Sequence, residues 1–201
     1  APSSTGSGTL LTAQGHILTN FHVLGNPETG QLFNRQGNIL IAVSPANLSE
    51  PPEIKYVAEL VQSDRERDLA LLKVVSRLNG EPLPLDLGLT PIPVGNSETV
   101  TIGDELTIIG FPGLGGDTVT LTRGSVAGFL PQEGWLKTDA EINPGNSGGA
   151  AINQAGELIG IPTQVTLDQG DLPGKIGLAR PVNLARPLID LALADSVGNR
   201  P

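Results

Sequence analysis

What most limits the fold of this chain is the brevity of its apolar runs. Val, Ile, Leu and Thr gather in short stretches at 15–19, 39–43, 69–74, 105–110 and 158–164, and Gly, Pro, Asn or a charged residue closes each one. Runs of that length match strands and fall short of helices. Glycine reaches 26 of 201 residues and proline 17, while large aromatics are scarce, with one Trp, one Tyr and four Phe. Frequent breakers and few bulky rings suit many short strands joined by turns, so the expected class is all-β. Further strand candidates lie at 8–11, 56–63, 118–128, 135–138, 150–152 and 176–179. No repeat is found at the period of a solenoid or propeller.

The segment from Glu81 to Gly95 carries Pro82, Pro84, Pro91 and Pro93. Prolines that dense disfavour a central strand and a helix alike, so the segment reads as a linker between two halves. The expected division is 1–81 for the first half, 82–95 for the linker, 96–182 for the second half and 183–201 for a helix and tail. That helix starts with Asn183 as cap, tolerates Pro187 in its first turn, and repeats Leu184, Leu188 and Leu191 at helical spacing. It is expected to pack on the second half. Residues 25–52, rich in Asn, Pro and Gly, read as an insertion with one short strand.

Charge and composition narrow the partners. A formal charge of −9 argues against nucleic acid and anionic membrane surfaces. No apolar run approaches the roughly 18 residues of a membrane span, so membrane insertion is not expected. Without cysteine there are no disulfides, and two histidines make a poor zinc cage, so neither metal nor cofactor is expected. The start, Ala1 to Gly8, lacks a basic and apolar leader, as expected for an extracytoplasmic chain whose signal peptide has been removed.

The chemistry concentrates in Gly145-Asn146-Ser147-Gly148-Gly149. A serine among glycines suits a nucleophile: small neighbours admit a substrate backbone, and a tight glycine turn can aim N–H groups at a developing oxyanion. A plain turn between strands is the alternative. Two other segments tip the balance. His22 falls just past the strand-like Ile17-Leu18-Thr19, and Asp68 opens Leu69-Ala70-Leu71-Leu72-Lys73-Val74. A carboxylate beside a buried strand needs a hydrogen-bond partner, and a histidine N–H supplies one. Asp68, His22 and Ser147 thus form a candidate catalytic set of orienter, base and nucleophile, with Gly145, Asn146 and Ser147 as the candidate oxyanion turn. The rival His16 is expected at the surface, and Asp64 and Glu66 belong to a charged turn. Gly113-Leu114-Gly115-Gly116-Asp117-Thr118 lacks the Lys-Ser/Thr pair of a phosphate loop and reads as a barrel loop.

Together, Thr19-Asn20-Phe21-His22-Val23, Asp68 through Val74, and Thr138-Asp139-Ala140 through Gly149 resemble the trypsin-like serine proteases, specifically the HtrA (Deg) family. Gly103-Asp104-Glu105-Leu106, Gly110-Phe111-Pro112-Gly113-Leu114-Gly115 and Gly156-Glu157-Leu158-Ile159-Gly160-Ile161 extend the resemblance, which runs from Gly6 to Leu193. It implies two six-stranded antiparallel β-barrels with the site in the cleft between them. It also implies a serine endopeptidase acting on extended or unfolded polypeptides in the periplasm or outside the cell. A non-catalytic, chaperone-like peptide-binding module on the same fold is the alternative, and an esterase a third. The substrate-pocket wall would comprise Glu141, Ile142, Thr163, Gln164 and Val165. Glu141 stands where the family usually has a small residue. It either selects a basic residue at the cleaved position or turns to solvent and leaves Ile142 to line an apolar pocket. In digestive-type relatives an aspartate precedes the serine and pairs with a new N-terminus, an ion pair that Asn146 cannot form. Family members commonly trimerise through N-terminal aromatics, and residues 1–12 contain none, so that mode is not expected and the oligomeric state stays open. A peptide-binding PDZ domain typically follows the family's last helix.

Overall fold

The computed structural model describes residues 4–112, 118–163 and 176–198. In the first half, strands β1 (Thr9–Leu10), β2 (His16–Thr19), β3 (Ile39–Val43), β4 (Glu53–Asp64) and β5 (Leu69–Arg77) form an antiparallel sheet of order β1-β2-β5-β4-β3. In the second half, β6 (Glu105–Gly110), β7 (Thr120–Leu130), β8 (Trp135–Thr138), β9 (Ala150–Ile152), β10 (Leu158–Thr163) and β11 (Gly177–Pro181) close into a barrel of order β10-β11-β8-β7-β6-β9. The all-β expectation therefore holds. The second half is a closed six-stranded barrel, whereas the first is a five-stranded sheet. Its β1 is only two residues long, and the 25–52 insertion adds β3 alone.

Strand periodicity explains three separate cores. On β5, Leu69 and Leu71 face one cluster, while Ala70, Leu72 and Val74 face another. On β9 and β10, Ala150, Leu158 and Ile161 share the cluster of Leu69 and Leu71, while Ala151 and Ile159 fill the barrel; β10 changes phase between Ile159 and Ile161, next to its register irregularity at Leu158–Gly160. Successive side chains point to opposite faces, so a strand buried on both sides must be apolar almost throughout. That is the physical reason for the unbroken run at 69–72. The shared cluster is a seam between the halves, and each fully buried Leu or Ile in it contributes about 1.5–3 kcal/mol relative to exposure.

The chain ends by completing this seam. A 3-10 turn (Val182–Ala185) leads into helix α1 (Arg186–Gly198), and Val182, Ala185, Leu188, Ile189 and Ala192 are all buried in the seam. The buried face differs from the one expected. Leu191 is exposed, and two alanines take the helical phase that leucines were expected to hold. Asn183 does not cap the helix: its Oδ1 accepts from Ser97 N–H and its Nδ2 donates to Asn96 Oδ1. Helix α1 lies against β2 and β5 of the first half, and its buried residues share one cluster with Ala150, Leu158 and Ile161 of the second. His16, expected at the surface, is fully buried beneath the helix, with Nδ1 2.7 Å from Thr12 Oγ1 and Nε2 3.1 Å from Asp195 Oδ2. Lys73 Nζ also reaches Asp195 Oδ2, at 3.1 Å. Burial rather than exposure follows because Thr12, Lys73 and Asp195 supply polar partners from three elements.

Candidate active site

β2 ends at Thr19, and a 3-10 turn (Phe21–Val23) carries His22 away from the sheet edge. Asp68 occupies the turn before β5 with φ +57°, the only positive φ among the described non-glycine residues. An L-residue spends about 1–2 kcal/mol on that conformation. Neighbouring bonds offset the strain. Asp68 O accepts from Asn20 Nδ2 at 2.8 Å and from Phe21 N–H at 3.2 Å, and Asp68 N–H donates to Arg65 O at 3.2 Å.

So held, the Asp68 carboxylate meets His22 twice. Oδ1 accepts the His22 backbone N–H at 2.8 Å, and Oδ2 lies 2.6 Å from His22 Nδ1. A carboxylate only accepts, so the bridging proton belongs to Nδ1, leaving Nε2 as the lone-pair nitrogen of the neutral ring. The histidine side chain remains about one-third exposed (34%), whereas that of Asp68 is 17% exposed. The pair therefore has a sheltered acid and an accessible imidazole.

The serine turn packs against the same segment. Gly148, at φ +82°, sits so close to Thr19 Oγ1, Ser7 O and Asn20 N that a Cβ there would collide with all three. Gly6 threads between Val23 and the Ser147 carbonyl, leaving no room for a side chain. Three turn bonds set the peptide orientations. Asn146 N–H donates to Asn143 O, Gly149 N–H to Asn146 O and Gly148 N–H to Pro162 O, each at 3.0 Å. In a planar trans peptide the N–H opposes the C=O, so with the Asn146 carbonyl tied to Gly149 the Ser147 N–H points the other way. None of these three turn bonds uses the N–H of Gly145 or Ser147. Ser147 itself is 4% exposed.

Ser7 joins these parts, and the sequence reading passes over it. Its N–H donates to Ser147 O at 2.9 Å and its Oγ to Gly145 O at 2.6 Å. The same Oγ accepts Phe111 N–H at 2.9 Å, and Ser7 O accepts the Thr19 hydroxyl at 2.7 Å. One residue thus holds both ends of the serine turn and ties it to β2. The available signal is Gly6-Ser7-Gly8, where flanking glycines permit close backbone approach.

Three of the expected pocket residues fall among the described residues, and Thr163 and Ile142 both lie beside Gly177–Leu178. Thr163 is buried, and its Oγ1 accepts Asn20 Nδ2 at 3.0 Å, so its side chain braces the residue that holds Asp68. Ile142 packs on the barrel core and fills the space beside Gly177. Glu141 is exposed, and its backbone carbonyl accepts the Thr122 hydroxyl at 2.6 Å. Gln164 and Val165 lie outside the described residues, as do residues 113–117 of the glycine-rich loop. Among the described residues no cluster of His, Asp or Glu could hold a metal ion.

Comparisons with known proteins place the chain in a family. The model of the trypsin-like peptidase domain matches residues 6–161. The serine endoprotease DegS of Escherichia coli (strain K12) is 34% identical over 198 residues, covering 94% of this chain and 48% of DegS. A probable periplasmic serine endoprotease, DegP-like, of Pseudomonas fluorescens is 35% identical over 188 residues, covering 90% of this chain and 33% of its own length. Among solved structures, a serine endoprotease from Yersinia pestis superposes with a TM-score of 0.69 at 34% identity, covering 97% of this chain and 60% of that one. The HtrA-type protease AlgW, solved with a decapeptide, gives 0.68 at 33% identity, covering 95% and 52%. The chain spans about half the length of the curated relatives it matches.

Proposed function

This chain belongs to the trypsin-like peptidase domain family, on its HtrA branch, and from that premise we propose that it is the protease domain of an extracytoplasmic serine endopeptidase. Its substrates are extended or unfolded polypeptide segments. Ser147 Oγ attacks the peptide carbonyl, and His22 Nε2 takes the Oγ proton and passes it to the leaving amine. Asp68 keeps the second proton on Nδ1 and stabilises the imidazolium. The N–H groups of Gly145 and Ser147 receive the oxyanion, a contribution worth about 10²–10³-fold per donor. Ser7 sets the turn that presents them.

The observation that carries this reading is the two-point contact of Asp68 with His22, at 2.8 and 2.6 Å. It fixes tautomer and ring plane together, which a general base requires. Ile142 against Gly177 supports an apolar wall for the residue at the cleaved position. The test compares wild type with Ser147→Ala on unfolded casein and with a fluorophosphonate probe. Wild type is expected to cleave casein and take the label on Ser147, and the variant to do neither. Equal casein cleavage by the variant removes Ser147 as nucleophile. A wild type that binds unfolded chains without labelling or cutting is a chaperone-like module instead.

A further inference from the structure

Arg180, on β11, is a cation in an expensive place. The residue is 8% exposed, and its guanidinium lies 3.3 Å from the centroid of the Trp135 ring. Among the described residues no carboxylate stands within ion-pair distance of it. It spends its donors on carbonyls: Nε on Arg67 O at 2.9 Å, and Nη1 on Glu133 O at 2.6 Å and Gly134 O at 3.0 Å. Burial pulls its pKa down from the usual arginine value, and of the nearby charges that oppose the pull, Asp68 acts most strongly. Leaving a buried cation without a carboxylate contact is costly. Fastening the β7–β8 turn alone would not call for it, because a neutral amide could serve those two carbonyls.

The third carbonyl distinguishes the site. Arg67 O belongs to the peptide that enters Asp68, and the N–H of that peptide donates to Arg65 O. Both sides of one planar unit are therefore held, one by the second barrel and one by the turn itself. That unit is one side of the φ torsion of +57° from which the Asp68 carboxylate reaches His22, and Asn20 and Phe21 hold the other through Asp68 O. We propose that Arg180 is a positioning residue: from the second barrel it locks the Arg67–Asp68 peptide so that both carboxylate oxygens engage His22. The inference rests on the hydrolase reading above and adds that this His–Asp geometry is assembled across the two halves. Trp135 stacks on the guanidinium and restricts its plane, so the β7–β8 turn and the Asp68 turn share one fastener.

The experiment uses Arg180→Gln, Arg180→Lys and Trp135→Leu in the whole chain, with three readouts. These are kcat and KM on a peptide substrate, the downfield proton resonance of His22 Nδ1–H, and Tm. In Arg180→Gln, kcat is expected to fall by up to about 10²-fold, the scale of a small misplacement of a reacting group. KM should stay near the wild-type value, and the resonance should broaden or vanish. Arg180→Lys keeps one donor and should recover part of both; it also replaces the glutamine variant if that one fails to fold. Trp135→Leu frees the guanidinium plane and should lower Tm, with a smaller loss of kcat and a smaller broadening of the resonance than Arg180→Gln; a larger loss than in Arg180→Gln counts against Arg180 as the positioning group. A folded Arg180→Gln or Arg180→Lys with wild-type kcat and an intact resonance overturns the inference, whatever its Tm. If wild type neither labels at Ser147 nor cleaves, the hydrolase reading fails. The resonance alone then decides whether Arg180 orders the pair.

Discussion

Two histidines of the first half, six positions apart in sequence, each meet an aspartate, one from helix α1 and one from the turn before β5, and their surroundings are opposite. His16 meets Asp195 through Nε2 at 3.1 Å, and His22 meets Asp68 through Nδ1 at 2.6 Å. In the first pair the ring is sealed, with 2% of its side chain exposed, and the acid is open; in the second the acid is sheltered and the ring is open. Both nitrogens of His16 are occupied, by Thr12 and by Asp195 with Lys73 alongside. His22 keeps Nε2 outside its bonds to Asp68, beside a segment that packs on a serine turn. Proximity of a histidine to a carboxylate therefore says little about chemistry. Which member faces water, and what lies on its far side, says more.

The sharpest way to break this contrast is to remove each ring. His22→Ala is expected to cost about 10²–10⁴-fold in kcat with little change in Tm, because the ring is partly exposed. His16→Leu should do the reverse. It takes the ring nitrogen from the Thr12 hydroxyl and leaves Oγ1 only the backbone N–H of residue 16, a loss of about 1–3 kcal/mol, which at about 2–4 °C per kcal/mol for a chain of this size is readily seen in a melting curve. Its kcat should stay close to wild type. An inactive yet fully stable His16→Leu would show that the contrast is misassigned.

A smaller effect should appear in the pH dependence of stability. Burial, and secondarily Lys73, hold the folded His16 below its ordinary value of 6.5, against the opposite pull of Asp195. The unfolded chain therefore takes up this proton at a higher pH than the folded one. Stability contributed by neutral His16 is present above about pH 6.5 and is lost progressively as the pH falls toward the folded value. Asp195 shifts downward too, chiefly through its hydrogen bond from Lys73, so its own contribution disappears only in more acidic solution. Thermal melts from pH 7 to pH 5 should show Tm falling in wild type and falling less in His16→Gln. Parallel slopes in the two proteins would remove His16 as the source.

Strand placement and the members of the candidate site are legible in the sequence because they depend on local rules. Apolar runs closed by Gly and Pro define β3, β6, β8 and β9 to the residue. His22 and Asp68 stand out as polar residues at strand ends, where a site can be built. The partners that decide burial are not local. Lys73 and Asp195 lie far from His16 along the chain, so nothing in residues 12–19 reveals that its ring has company. The buried face of α1 and the turn before it is hidden because Ala185 and Ala192 contribute closeness rather than bulk, and leucines on the outer side mislead the eye. Ser7 is obscured by its place in what reads as a plain leading segment. The bond between Thr163 Oγ1 and Asn20 joins residues 143 positions apart, so no local pattern reveals it.

Helix α1 has a kinetic corollary. The leucines of β2 and β5 that face the seam lie early in the sequence, far ahead of the α1 residues that cover them. Until those residues dock, Leu18, Leu69 and Leu71 lack their final neighbours. A chain of this design cannot dry its central seam piecemeal, so the two histidine environments separate only once α1 has docked.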